Sequence, residues 1–205
     1  MRRTKADAAD TRAAILSAAE EMFFEQGVSD TSLEDIAKAA GVTRGAVYWH
    51  FANKTDLFLE LYNATQLPRL NILDVEEANA RGLDPLAYIE ALARDSLKSL
   101  SQDMSRQRML AILLRTNFKG EMQRVQDAVD AQEAEQMEAL LAVLARAENL
   151  GLLHERWSAQ SVATSIWWLM KGLCWEWLLT EMKFDLVEVG DETVACLFSS
   201  FRCDR

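Results

Sequence analysis

Along this chain apolar residues return every three or four positions and almost never alternate, which is the spacing of α-helices rather than strands. Ile15, Ala18, Ala19, Met22 and Phe23 form one such stripe and predict a helix over residues 9–26, stopped by Gly27. Thr31 followed by Glu34 fits a capping box. It opens a second helix with Leu33, Ile36, Ala37 and Ala40 on one face, ending at Gly41. A tight turn, Ala40-Gly41-Val42-Thr43, leads to a short third helix from Arg44 to about His50. Helix, glycine turn and short second helix is the helix-turn-helix arrangement. Asn53 caps a fourth helix, with Asp56 favoured by its dipole, running through Leu57, Leu61 and Tyr62 towards Pro68.

Beyond it the pattern predicts a second, helical body. Asp84-Pro85 is a cap with a first-turn proline, opening a helix to about Ser101. Further helices are expected over 105–115, 121–150 (stopped by Gly151), 159–182 and 189–201. The fold class is therefore all-α: an N-terminal three-helix helix-turn-helix DNA-binding domain over 1–53, a connecting helix over 54–70, and a helical body over 71–205. Between Ile166 and Leu179 apolar residues cover nearly the whole helix circumference. Such a helix must be covered all round, and one face is expected to meet a second subunit. With the last helix it would build a symmetric four-helix interface from Trp177, Val194, Leu197, Phe198 and Phe201. The alternative is that these residues fill one thick monomer core.

The net charge of −10 argues against nucleic acid only if charge is spread evenly. Salt screens exposed charges beyond about 10 Å at about 0.1 M, so an acidic body can stand behind a locally basic face, here Arg2, Arg3, Lys5 and Arg12. The 3 cysteines form no CxxC pair, and no apolar stretch follows Arg2-Arg3, which predicts reduced thiols and a cytoplasmic protein. Lys171 and Glu176 interrupt the longest apolar segment, so no membrane span is expected. There is no phosphate-binding glycine loop, GxSxG or HExxH, and His50 and His154 make no metal set with the cysteines. Enzymatic activity, a cofactor and a metal are not expected.

The chemistry concentrates in Gly41-Val-Thr-Arg-Gly-Ala-Val-Tyr-Trp-His-Phe51. Val47 and Phe51, at i and i+4, would anchor the third helix while Arg44 at its N-terminus meets base edges. One arginine–guanine pair discriminates by about 1–3 kcal/mol. Gly45 and Ala46 let the backbone approach closely. Tyr48, His50 and Lys54 offer a hydroxyl, an imidazole and an ammonium to phosphates, and Thr31 and Thr43 add hydroxyls at helix N-termini. Tyr48 and Trp49 could equally pack the core, His50 could be structural, and Lys54 could be a solvated lysine at a helix start.

The segment from Thr31 to Phe58 closely resembles the DNA-binding domain of the TetR/AcrR family, and Thr43-Arg-Gly-Ala-Val-Tyr-Trp-His-Phe51 is most similar to its branch of multidrug-efflux repressors. Phe118-Lys-Gly-Glu-Met122 and Phe184-Asp-Leu186 continue the likeness. The resemblance implies base or groove contacts for Arg44, Gly45 and Tyr48, and phosphate contacts for Thr31, Thr43, His50 and Lys54, with Trp49 on the same helix. It implies a homodimer on a palindromic operator, its heads in successive major grooves roughly 34 Å apart, released by a hydrophobic small-molecule effector. Pockets for such ligands are apolar with a few placed polar groups. Residues expected to line one are Tyr62, Gln66, Met109, Leu113, Asn117, Met137, Trp167, Lys171 and Trp175, each of which could equally be ordinary core. An activator or DNA-bending protein on the same heads, or a helical ligand carrier or enzyme, are the rival readings.

Overall fold

In a computed structural model, residues 5–65, 82 and 84–203 are described. Their regular elements are helical: α1 (Lys5–Gln26), α2 (Leu33–Ala39), α3 (Arg44–His50), α4 (Lys54–Ala64), α5 (Pro85–Gln102), α6 (Met104–Arg115), a 3-10 turn (Gly120–Met122), α7 (Gln123–Asn149), α8 (Ala159–Leu179) and α9 (Leu186–Phe201). Extended pairing among the described residues is confined to a bridge between Leu153 and Arg202. The chain forms two compact units, Met1–Gln66 with Ser105–Val129, and Leu67–Met104 with Asp130–Arg205.

In the first unit, Ile15, Ala19 and Phe23 of α1 meet Leu33, Ile36 and Ala37 of α2, Val47 of α3, and Leu57, Phe58 and Leu61 of α4. Met109, Ile112, Phe118 and Val125, from far along the chain, complete this core. Phe58 links the two stretches, lying 5.6 Å from the Phe23 ring and 5.2 Å from that of Phe118. The Thr55 hydroxyl donates to the Glu121 carbonyl at 2.9 Å, and Arg124 pairs with Asp56 at 2.8 Å.

Local chemistry fixes the turns. The N-cap of α2 is Ser32, one residue later than the sequence suggests, and its box closes with Asp35 rather than Glu34. Both spacings satisfy the motif; Thr31 is buried, and its hydroxyl donates to the Gly27 carbonyl at 2.7 Å instead. Hydrogen bonds from the Ser32 side chain and amide hold the Asp35 carboxyl below its ordinary range. At the end of α2 the chain turns left-handed at Gly41 (φ 66°). There Val42 N–H reaches the Ala37 carbonyl and Gly41 N–H that of Lys38, a Schellman closure.

In the second unit α5 crosses α9 so closely that a Cβ on Gly190 would lie 2.4 Å from Leu97 Cδ1. The residues after α9 fold back on the α7–α8 connection. His154 N–H donates to the Phe201 carbonyl at 2.8 Å, and Trp157 Nε1 to that of Ser200 at 2.9 Å.

Candidate nucleic-acid interface

Thr43 caps α3 by accepting from Ala46 N–H at 3.2 Å, so the helix starts where its first residue is Arg44. Seven residues give α3 barely two turns, and its two faces are chemically distinct. Ala46 and Val47 are buried, as is Phe51 just beyond, seating the helix on the core of the first unit. Arg44, Gly45, Tyr48 and Trp49 are exposed on the other side, Trp49 by 73%. At that exposure the Trp49 indole lies outside the core of its own chain. Tyr48 is likewise on the surface rather than in the core, with the Arg44 guanidinium 5.3 Å from its ring centre. Around Gly45 the space is open: an added Cβ would find Thr43 Oγ1 at 4.0 Å. Its smallness is not demanded from inside the head. His50 is half-buried, edge-on to Trp49 at 4.5 Å.

Two of the expected phosphate contacts are otherwise engaged. Thr31 is buried at 1% exposure, its hydroxyl spent on the α1–α2 connection. Lys54 Nζ donates to the Val28 carbonyl at 2.7 Å and to that of Thr31 at 3.0 Å. Arg12 also turns inward, pairing with Glu60 and lying 5.5 Å from the Phe51 ring centre. Conversely, Glu34, which sequence reasoning treats only as a capping residue, lies 2.9 Å from Arg44. Ten residues and a turn separate the two, so no helical spacing reveals the pair.

The residues expected around a ligand divide between the units. Tyr62 and Met109 are buried in the core of the first, Leu113 packs against it, and Asn117 is exposed. Gln66 lies outside the described residues. In the second, Met137 is half-buried, and α8 brings Trp167, Lys171 and Trp175 together. The Lys171 ammonium lies 5.9 Å from the ring centres of Trp167 and Trp168 and 5.0 Å from that of Trp175, and Glu133 of α7 holds it with both oxygens at 2.7 and 2.9 Å. Trp168 was legible from its i, i+3 spacing to Lys171; Glu133 was not. Burial pushes the nearby Cys174 thiol up to about 12, which keeps it protonated and inert.

The residues expected at a dimer interface are mostly covered by their own chain. Trp177, Val194, Phe198 and Phe201 are buried within their own chain, and Leu197 is half-buried. The Trp177 indole donates to the Phe184 carbonyl at 3.0 Å, and Phe198 and Phe201 stack edge-to-face at 5.5 Å. In the single chain, Leu197 is the one of these five that keeps appreciable exposed surface. The apolar side chains that α8, α9 and their connection leave in water are Trp168, Trp175, Leu179, Met182 and Val189. A shallow groove of about 420 Å³ runs among Trp168, Leu169, Gly172, Leu173, Glu176, Phe184 and Val189.

The buried-backed, outward-faced α3 lies within the first of two family matches. "Bacterial regulatory proteins, tetR family" matches residues 15–61, and "MAATS-type transcriptional repressor, C-terminal region" matches residues 84–202. The chain belongs to the TetR family. Its C-terminal match places it among the MAATS-type repressors of that family. This TetR-family chain is 36% identical over 203 residues to the HTH-type transcriptional repressor BepR of Brucella suis biovar 1 (strain 1330), covering 98% of this chain and 97% of that protein. The crystal structure of NalD, described as the secondary repressor of the MexAB-OprM multidrug efflux pump in Pseudomonas aeruginosa, superposes with a TM-score of 0.86 at 36% identity, covering 98% of this chain and 100% of NalD. A complex of SmeT with triclosan gives 0.80 at 28% identity, covering 95% and 92%. Among the described residues of this TetR-family regulator, no helix is long and apolar enough to cross a membrane.

Proposed function

We propose that this regulator represses the genes of a multidrug efflux pump in the cytoplasm, holding a palindromic operator as a homodimer and leaving it when an apolar small molecule binds. The single observation that carries the reading is the exposed face of α3, where Arg44, Gly45, Tyr48 and Trp49 are in water while Ala46, Val47 and Phe51 hold the helix from behind. Arg44 reads a base edge, and Tyr48, Trp49, Thr43 and His50 sit against the backbone and groove wall. Lys54 and Thr31 support the loop behind them rather than touch DNA. The operator target follows NalD, whose described role is repression of an efflux pump, and the apolar effector follows the triclosan complex of SmeT. The dimer buries the apolar residues left open on α8 and α9, Trp168, Leu179 and Val189 among them.

Selection from a random duplex library tests this reading. The full-length protein is expected to enrich one palindrome whose half-sites lie about one helical turn apart. Arg44→Ala should lose about tenfold or more in preference for it while remaining folded. Deleting the gene should raise transcription next to the matching genomic site. Enrichment without a palindrome, or transcription that falls on deletion, overturns the proposal.

A further inference from the structure

Glu34 stands in the first turn of α2, where a carboxylate is favoured by the helix dipole. Its Oε1 lies 2.9 Å from an Arg44 terminal nitrogen, and both side chains are open to solvent. Arg44 is the first residue of α3, the end at which a cation is disfavoured by its own helix. The same guanidinium lies 5.3 Å from the Tyr48 ring centre. Two neighbours, one on α2 and one on α3, thus favour one placement of a side chain that otherwise has four rotatable bonds.

An acidic side chain beside the cation that faces a polyanion calls for a physical reason. Held at one terminal nitrogen by Glu34, the guanidinium keeps its other donors, enough for a two-pronged bond to guanine. To pair with a phosphate instead it must approach a second negative charge while Glu34 is still present. We propose that Glu34 is a positioning residue that sets the base selectivity of this regulator. It aligns Arg44 for guanine, and its charge penalises complexes in which Arg44 gains only a phosphate. The proposal rests on Arg44 as the base-reading residue.

The experiment compares four proteins, namely the parent, Glu34→Gln, Arg44→Ala and the double variant. Each is titrated by fluorescence anisotropy onto the duplex enriched by the parent and onto a scrambled duplex of the same composition, at several salt concentrations. Glu34→Gln should bind the scrambled duplex more tightly, with the slope of log affinity against log salt steeper by about one. The ratio of enriched to scrambled affinity should fall about tenfold, as loss of one aligned base pair predicts. In the Arg44→Ala background the same change should alter the ratio less than about threefold, because the aligned group is gone. A fall below about threefold in the parent background, or an equal fall in both, overturns the role of Glu34. If Arg44→Ala itself leaves the ratio intact, it is the base-reading role of Arg44 that fails, and the two failures are told apart.

Discussion

The Lys54 ammonium lies 2.7 Å from the Val28 carbonyl and 3.0 Å from that of Thr31, two groups in the connection from α1 to α2. Both contacts are part-buried, and Lys54, in the first turn of α4, would otherwise place a cation at the unfavourable end of its helix. The two carbonyls offset that cost, with Thr31 stitching the same connection from its Gly27 side. Lys54→Met, which keeps the stem and removes the donors, should therefore lower unfolding stability by about 1–2 kcal/mol, measured as a shift in the urea midpoint at constant slope. Unchanged stability with a DNA-binding salt slope reduced by about one would place the ammonium on a phosphate instead. From sequence, a lysine four residues after the end of α3 has the same appearance in either role. What separates them is a contact 26 residues away in the chain.

At the scale of elements, caps make some helix starts legible but not all: the last helix, expected from residue 189, starts at Leu186 behind an Asp185 cap. Asn53 and Asp84 open α4 and α5 as their residue types predict, each accepting from the amides of the first turn. The end of α8 was overrun by three residues, because the usual stop signal is missing. Met182 N–H bonds to the Trp177 carbonyl at 2.8 Å and Glu181 N–H to that of Leu178, a Schellman closure like the one at Gly41, yet the left-handed positions carry Glu181 (φ 55°) and Met182 (φ 60°). A side chain there costs about 1 kcal/mol or more relative to glycine. The Trp177 indole on Phe184 and the Asp185 cap of α9 hold the turn from the other side. Glu181→Gly should raise stability by about 0.5–1 kcal/mol, seen as a higher melting temperature, the gain being reduced by the extra freedom glycine gives the unfolded chain. A lower melting temperature would mean the left-handed turn is absent. The apolar stripes of α8 and α9 were equally legible as stripes. Periodicity says that a face is covered and not by whom, which is why the sequence leaves Trp177, Val194 and Phe198 open to a partner or to their own core, and the single chain already buries them.

On the scale of the whole molecule, the second unit closes through residues far apart in the chain. Asp84, which caps α5 by accepting from Leu86 N–H at 2.9 Å, also pairs with Arg202 at 2.6 Å, and Arg202 reaches Glu90 at 3.3 Å. Arg202 follows α9 directly and its backbone bridges to Leu153, so this one residue joins the end of α9 to the α7–α8 connection through its main chain and to the start of α5 through its guanidinium. Burial pushes the Asp84 carboxyl up, but hydrogen bonds from Arg202 and the Leu86 amide outweigh it and hold it below its usual value of 3.8. The unfolded chain therefore takes up this proton at a higher pH than the folded one. The contribution to stability is complete above pH 4 or so and disappears as pH falls through the lower folded value. Because the pair is partly open to water, solvent screening keeps that contribution to about 1 kcal/mol or less. Asp84→Asn preserves a good cap and removes the charge, so it isolates the ion pair. Its melting temperature should lie below that of the parent at pH 7, and the gap should close as the pH is lowered from about 4 towards 2. A gap that stays constant over that range would assign the loss to the cap alone and remove Arg202 from the closure.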